Sequence, residues 1–183
     1  VLLTVLLIGT AAMVIFVDPY FHYHKPLSFL SYRIYEERYV NDGISRHFTY
    51  DAVITGTSMA QNFKTSELDE LFGTHSVKEP FSGADFRELS ENLNRTLQYG
   101  QEVKMVVMPL DYNALLQAAD WQKYEEYPTY LYDNNIFNDA RYVWNKAIFY
   151  HGVVADLLRT VSGEPSTTMD EYSSWVHETG LEH

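Results

Sequence analysis

The feature that most constrains this fold is a regular alternation of strand and helix patterns over residues 50–110. A short β-branched run at 52–55 and a possible second strand at 76–79 are each followed by a helical pattern, over 65–72 and from Phe86 onward. Connections of this length between strands are crossovers, and crossovers join parallel strands. The sequence therefore predicts an α/β fold with a parallel sheet.

Capping residues and apolar spacing predict where these elements end. Thr65 or Ser66 is the expected cap of the first helix, and Gly73 its expected end. The second helix should end with Gly100 in the C-terminal capping position. Residues 103–110 are nearly all apolar, which predicts the strongest strand of the chain, buried on both faces. The apolar stripe of the second helix, expected to face the sheet, comprises Phe86, Leu89, Leu93 and Leu97.

Composition excludes several classes of function. With 183 residues and 46% apolar content, the chain is long and apolar enough for a domain with a sizeable core. Its formal net charge of -12 disfavours nucleic acid and anionic membrane surfaces as partners, because no basic stripe is available to bind phosphates. The absence of cysteine excludes disulfides and thiolate catalysis.

An uncharged apolar segment opens the chain. Residues 1–17 would measure about 26 Å as a helix at about 1.5 Å per residue, against a bilayer core of about 30 Å. We expect a membrane signal anchor followed by a juxtamembrane connector over 18–49; the alternative is a buried core helix. His22 and His24 alternate with aromatic residues in this connector. That spacing favours an interfacial aromatic belt, since two histidines supply only half of a usual zinc shell.

The regular alternation stops after Asp111. Residues 119–138 are rich in Tyr, Asp and Asn and predict a long surface loop. Its aromatic side chains would either stack on sugars or pack over an edge of the core. A second long helical stretch is predicted over 139–161, and residues 181–183 resemble the start of a vector-encoded tag. The aromatic residues of the loop are Trp121, Tyr124, Tyr127, Tyr130 and Tyr132.

Small or polar residues follow each of the three predicted strands. Ser58 follows the first strand, Gly83 the second, and Asp111 with Asn113 the third. Ligands of parallel sheets bind outside the carboxyl ends of the strands, so these residues should lie together. A hydroxyl, a close backbone amide and a side-chain donor are what a serine esterase needs. The Gly-Thr-Ser-Met-Ala motif is not the elbow of α/β-hydrolases, because Ala60 replaces the final glycine, and it lacks the lysine of a phosphate loop.

Several stretches carry a family resemblance. DAVITGTSMAQNF, FSGADF and VKMVVMPLDYNAL resemble the first three sequence blocks of the SGNH/GDSL hydrolase superfamily. With YLYDNNIFNDARYVWNK and TTMDEYSSW, the chain is similar to membrane-anchored SGNH-like proteins of Gram-positive bacteria, relatives of those serving teichoic-acid D-alanylation and polysaccharide O-acetylation. The resemblance implies a flavodoxin-like three-layer sandwich over residues 50–180, outside the cytoplasm. It also implies a cell-surface glycan or teichoic acid substrate, a membrane-bound O-acyltransferase as partner, and no cofactor.

The resemblance also implies roles for the residues at the strand ends. Ser58 would be the nucleophile, and its backbone amide would form the oxyanion hole with that of Gly83. The third block falls at residues 111–113, where the superfamily prefers a Gly-x-Asn-Asp run whose asparagine donates to the oxyanion. An ionised Asp111 has no proton to donate, so Asn113, two residues late, is the substitute donor.

The general base of these relatives is a C-terminal Asp-x-x-His, which this chain does not contain. Asp170 and His177 lie seven residues apart. The sequence reveals no partner for the other candidate histidines, His47, His75 and His151. We therefore expect the domain to be incomplete at its C-terminus and the chain by itself to be inactive.

Three functions remain open from sequence. The first is an esterase or O-acyltransferase that acts on cell-surface glycans through a serine acyl-enzyme. The second is a non-catalytic SGNH-like domain that binds envelope glycan or scaffolds the acyltransferase partner. The third is a flavodoxin-like domain in which Gly56 only makes a tight turn, and it predicts a buried, unreactive Ser58.

Overall fold

The computed structural model describes residues 1–100, 102–112, 116, 128–133 and 135–175. The chain divides into two compact units, which we call the α1 unit (Val1–Ile34 with Pro128–Thr167) and the sheet unit (Tyr35–Tyr127 with Thr168–His183). The elements in chain order are α1 (Leu2–Val17), α2 (Glu37–His47), β1 (Ala52–Gly56), a 3-10 turn (Ser58–Ala60), α3 (Thr65–Phe72), β2 (Ser76–Pro80), α4 (Phe86–Tyr99), β3 (Met105–Val107), a second 3-10 turn (Thr129–Leu131), α5 (Ala140–Val143), a π-helical segment (Ile148–Val154) and α6 (Ala155–Val161).

Helix α1 is apolar on all of its faces. It packs against α5 and the π-helical segment, and this contact buries Val14 and Val17. Trp144 donates its indole N–H to the carbonyl of Leu7 at 3.0 Å. Within the described residues, no helix has both the length and the hydropathy needed to span a bilayer. The exposed apolar residues of α1 are Leu2, Leu3, Val5, Leu6, Leu7, Ile8, Met13, Ile15 and Phe16.

A buried carboxylate ends α1 and begins the chain reversal that follows it. Asp18 has a left-handed backbone with φ 48° and is completely buried. Its oxygens accept from the backbone amides of His22, Tyr23 and His24 at 2.7–3.0 Å, and from the Tyr142 hydroxyl at 2.8 Å. Burial raises the pKa of Asp18, and these hydrogen bonds oppose that shift. One side chain therefore organises the aromatic connector and attaches it to α5.

The two histidines of the connector contact protein groups. His22 Nε2 lies 3.3 Å from Asp139 Oδ1, while the ring nitrogens of His24 meet the carbonyls of Lys25 at 2.8 Å and Ile15 at 3.1 Å. Among the described residues, no group of three or more side chains has the arrangement of a metal site.

The sheet unit contains the predicted parallel sheet. Its three strands are ordered β2-β1-β3, with Ala52 paired to Ser76 of β2 and to Met105 of β3. Going from β1 to β2 and from β2 to β3 crosses the sheet in opposite directions. Right-handed crossovers therefore place α3 and α4 on opposite faces. This order is consistent with a flavodoxin-like layout, whose ligand crevice lies at the carboxyl ends of β1 and β3. The predictions of an α/β fold and of parallel pairing are confirmed.

The third strand is shorter and more exposed than its sequence predicted. Regular pairing covers only Met105–Val107 of the predicted 103–110. Val106 is 40% exposed, whereas every residue of β1 and β2 is buried. The prediction of burial on both faces was wrong because apolar composition reports hydropathy and not position: β3 lies at the edge of the described sheet.

Helix α4 forms as predicted but buries a different face. Leu89 is buried, but Phe86 and Leu97 are each 48% exposed. The remaining buried positions are polar, Asn92 and Thr96. Both donate to the buried carboxylate of Glu79 on β2. The face of α4 that is buried is therefore the one that supplies hydrogen-bond donors to Glu79, which hydropathy had not indicated.

The capping predictions have mixed outcomes. Gly73 ends α3 in the left-handed conformation with φ 67°, as predicted. Gly100 caps α4 with an extended backbone, and a Cβ there would lie 2.8 Å from the Thr96 carbonyl, so close approach is what requires glycine. Neither Thr65 nor Ser66 is the N-cap of α3. That position is Lys64, which makes no side-chain cap.

The C-terminal half of the described chain differs from its prediction in regularity. The stretch 139–161 is helical but divided into α5, the π-helical segment and α6. Of the predicted tyrosine-rich loop, residues 119–127 with Trp121, Tyr124 and Tyr127 lie outside the described residues. Tyr130 is buried, which favours packing over sugar stacking for that ring.

Candidate functional site

The site begins where β1 turns into the 3-10 segment that holds Ser58. Gly56 has φ 148°, a conformation that side chains rarely adopt. A Cβ at this position would lie 3.1 Å from Ala60 Cβ and 3.3 Å from Pro109 Cδ. Glycine therefore allows the turn to fold tightly against the residues that follow β3. The Thr57 hydroxyl accepts a hydrogen bond from the Met59 amide at 3.4 Å, so Ser58 lies inside a small closed turn.

Hydrogen bonds connect all three strand ends. Gly56 is paired with Pro80 in the sheet, and the Phe81 amide continues this pairing by donating to the Gly56 carbonyl at 2.8 Å. On the other side of β1, the Thr57 hydroxyl donates to Asp111 Oδ2 at 3.0 Å. The turns after β1, β2 and β3 therefore share one edge of the sheet, as the sequence predicted.

Gly83 lies in a tight turn after β2. The Ala84 amide donates to the Phe81 carbonyl at 3.1 Å, and Gly83 has φ 63° within this turn. Within the described part of the chain, neither the Gly83 amide nor that of Ser58 donates to an acceptor. Two backbone donors without an internal acceptor, one after each of two adjacent strands, can serve an anionic ligand or an oxyanion.

Helix α2 holds the turn after β2 from both sides. Glu37 Oε2 accepts from the Ser82 amide at 2.5 Å, and Arg38 donates to the Ser82 carbonyl at 3.0 Å. Arg38 also pairs with Glu88 of α4 at 2.7 Å. Both polar backbone groups of Ser82 are thus satisfied by side chains of α2, and these contacts immobilise the residue before Gly83.

Ser58 itself is half-buried, so the buried position that a plain flavodoxin-like domain predicts is not found. Its hydroxyl has no hydrogen-bond partner within the described part of the chain. No described histidine or carboxylate therefore activates it directly. Asp111 is brought to the site through Thr57, whereas Asn113 lies outside the described residues.

The carboxylate of Asp170 binds the start of α3 and does not contact the Ser58 hydroxyl. Its carboxylate accepts from the Thr65 hydroxyl at 2.8 Å, the Ser66 amide at 3.0 Å and the Ser66 hydroxyl at 2.5 Å, all at the N-terminus of α3. Partial burial works to raise its pKa, but the hydrogen bonds outweigh this and the pKa is lowered. Asp170 therefore satisfies the first turn of α3, a role that a capping residue would otherwise fill. His177 lies outside the described residues.

Three polar residues near the site were not identified from sequence. Glu37 and Gln61 are joined by a hydrogen bond of 2.5 Å between the carboxylate and the side-chain amide, and Lys78 donates to the Gln61 carbonyl at 2.7 Å. Burial lowers the pKa of Lys78 to about 8, and the charges of Asp170 and Glu37 oppose this shift. A signal was available for Lys78: a Lys-Glu pair interrupts β2, a strand whose residues are all buried.

Comparison with protein-family models, with curated proteins and with solved structures finds no match to this chain.

Proposed function

We propose that the chain is an SGNH-like serine acyl-transfer protein that hydrolyses or transfers an acyl ester on a cell-surface glycan. One observation supports this most: Ser58 and Gly83 follow adjacent parallel strands, and neither backbone amide has an acceptor among the described residues. A nucleophile beside two free donors is the arrangement that acyl transfer needs. The parallel sheet extends in this proposal to a three-layer sandwich of the SGNH type.

Ser58 forms and breaks the covalent bonds of the proposed reaction. Its Oγ attacks the carbonyl carbon of the ester while its proton passes to a general base, which in SGNH proteins is the histidine of Asp-x-x-His. The amides of Ser58 and Gly83 hold the resulting oxyanion. Collapse of the tetrahedral intermediate breaks the bond to the sugar oxygen, which takes the proton from the base and leaves as a hydroxyl, while the acyl group stays on Ser58. Water or a second sugar hydroxyl then attacks this acyl-enzyme and releases Ser58.

The proposed location is the outer face of the cell membrane, with α1 in the lipid. An amphipathic helix covered by a protein partner exposes one apolar stripe, whereas α1 has apolar side chains on every face and no charge. Trp144 lies beside Leu7 with its indole 54% exposed, and tryptophan prefers the boundary between lipid and water. A membrane-bound O-acyltransferase is the proposed partner.

Active-site labelling tests the proposal directly. The protein and a Ser58→Ala variant are treated with a fluorophosphonate, and the adduct is measured by intact mass and located by peptide mapping. We expect one slowly formed adduct on Ser58, absent from the variant, because no described histidine or carboxylate activates the Ser58 hydroxyl. Ser90→Ala, which removes an exposed serine of α4, is the matched control and should label as the parent does. Labelling that persists in Ser58→Ala would refute Ser58 as the nucleophile.

A second candidate function is a non-catalytic glycan-binding or scaffold domain. Asp111 favours it, because a carboxylate beside the turn of Ser58 opposes the negative charge of an oxyanion. This candidate predicts no Ser58 adduct and glycan binding that Ser58→Ala leaves unchanged. Acyl transfer predicts the adduct and the loss of turnover in that variant.

A further inference from the structure

Two buried charged side chains hold the turn that contains Ser58. Glu37 accepts from the side-chain amide of Gln61, and Lys78 donates to the backbone carbonyl of the same residue. Gln61 caps the C-terminus of the Ser58–Ala60 turn, where its own amide donates to the Ser58 carbonyl. Gln61, which is hydrogen-bonded to the backbone of Ser58, is therefore held through both its side chain and its main chain.

Glu37 also spans the gap between two strand ends. One carboxylate oxygen binds Gln61 in the turn after β1, and the other binds the Ser82 amide in the turn after β2. Each oxygen accepts from a different turn, so the carboxylate sets the separation of the two turns. One turn contains Ser58 and the other contains Gly83.

The sheet itself does not require these charges. Lys78 is completely buried in a strand where an apolar residue would pack without desolvation cost, and Glu37 is 8% exposed. Neither forms an ion pair with another residue in the described part of the chain. Lys78 Nζ donates to two carbonyl oxygens, those of Gln61 at 2.7 Å and Asp170 at 3.0 Å. Both buried charges thus bind Gln61 in the Ser58 turn, and Glu37 also binds Ser82 in the turn after β2, which points to a need for a specific turn geometry.

We infer that Glu37 and Lys78 are positioning residues of the acyl-transfer site, which fix Gln61 and Ser82 and thereby the separation of Ser58 from the Gly83 amide. The inference rests on the proposed function for its chemical meaning. The geometric part, that Glu37 couples the two turns through Gln61, is independent of any activity.

A double-mutant cycle on Glu37 and Gln61 tests the coupling. The parent, Glu37→Gln, Gln61→Ala and the double variant are compared by the rate of fluorophosphonate labelling and by amide hydrogen exchange of residues 57–63 and 81–84. Lys78→Met is measured alongside. Glu91→Gln and Lys64→Met make the same two chemical changes at exposed positions and serve as matched controls.

If Glu37 acts through Gln61, each single variant lowers the labelling rate about tenfold and the double variant is no slower than the slower single one. Exchange of residues 57–63 should accelerate in Glu37→Gln and Lys78→Met but not in the controls. If a charge variant fails to fold, Gln61→Ala, which alters a half-buried side chain, tests the Glu37–Gln61 contact by itself, and parent-like labelling and exchange of residues 57–63 in that variant would overturn the inference. Additive effects, or parent-like exchange of residues 57–63 in Glu37→Gln, would overturn the inference.

The two proposals fail in different ways. If the parent itself forms no Ser58 adduct, acyl transfer fails while the exchange measurements still decide whether Glu37 couples the turns. If the parent labels and the cycle is additive, acyl transfer stands and the positioning role is refuted.

Discussion

The Thr57 hydroxyl donates to Asp111 Oδ2 at 3.0 Å, which connects the residue before Ser58 to the segment after β3. This contact places a carboxylate next to the proposed nucleophile, where an amide donor would serve an oxyanion better. Asp111→Asn retains an acceptor for Thr57 and replaces the negative charge with a donor. We expect fluorophosphonate labelling of Ser58 to accelerate by about threefold or more, since one good oxyanion donor is worth about a hundredfold or more in rate. Slower labelling in this variant would show that the carboxylate itself assists Ser58.

A matched change separates the charge of Asp111 from its hydrogen bond. Thr57→Val removes the donor and leaves the Asp111 carboxylate in place. Loss of this hydrogen bond, and of the longer one that the hydroxyl accepts from the Met59 amide, predicts a decrease in the free energy of unfolding of about 1–2 kcal/mol, measured by urea titration. Asp111→Asn should show no such decrease.

Glu79 should make the stability of the sheet unit depend on pH. It is completely buried on β2 and accepts from Ser45 at 2.8 Å, Asn92 at 2.7 Å and Thr96 at 2.6 Å. Burial raises its pKa from 4.5 to about 7, against these hydrogen bonds. Between pH 4.5 and about pH 7, Glu79 is therefore mostly protonated in the folded state and mostly ionised in the unfolded state. Stability falls as pH rises through that window, by up to about 3 kcal/mol at about 1.4 kcal/mol per unit.

The variant Glu79→Gln removes this proton exchange. Its amide can direct the oxygen to Asn92 and Thr96 and the nitrogen to Ser45, so the network stays satisfied. Urea unfolding between pH 5 and pH 8, reported by the tyrosine and tryptophan fluorescence, should show a flatter pH profile than the parent. Glu91→Gln, on the exposed face of α4, is the control and should keep the parent slope. Equal slopes in parent and Glu79→Gln would contradict the raised pKa.

Asp170 should stabilise α3 from outside the helix. Asp170→Ala leaves the Ser66 amide and both hydroxyl donors of the first turn without their acceptor. We expect a loss of about 1–2 kcal/mol in the free energy of unfolding, the range for removing a helix cap. Because the pKa of Asp170 is lowered, its contribution is present above the ordinary pKa of an aspartate and is lost as pH falls through the folded value. A parent-like stability at pH 7 would contradict this role.

Trp144 should report contact of the α1 unit with lipid. In a background where Trp121 and Trp175 are phenylalanine, its fluorescence should shift to shorter wavelength when phosphatidylcholine vesicles are added. A charge at Leu3, as in Leu3→Asp, should weaken vesicle binding about a hundredfold, because an aspartate within the bilayer costs about 3 kcal/mol. Leu71→Asp makes the same change on the exposed surface of α3 and should bind as the parent does. Unchanged fluorescence in the parent would refute lipid contact at this face.

Local sequence patterns predicted much of the sheet unit correctly. A β-branched run predicted β1, and β2 forms where a possible second strand was predicted. Gly73 marked the end of α3 because only a residue without a side chain adopts its left-handed backbone at no cost. The parallel pairing of the strands followed from connection lengths, whereas their order did not. The adjacency of Ser58, Gly83 and Asp111 followed in turn, because the carboxyl ends of parallel strands share one edge. Each of these inferences depends on residues near one another in the chain.

Contacts between distant parts of the chain decided the rest. The buried face of α4 depends on Glu79, the support of α3 on Asp170, and the geometry of the Ser58 turn on Glu37 and Lys78. A buried charge or polar group needs hydrogen-bond partners, and those partners come from any part of the chain that folding brings near it. The spacing of residues in the sequence does not indicate which distant residues will be within hydrogen-bond distance. The sequence thus determined which residues meet at the sheet edge, and only the tertiary structure determined which side chains hold them in place.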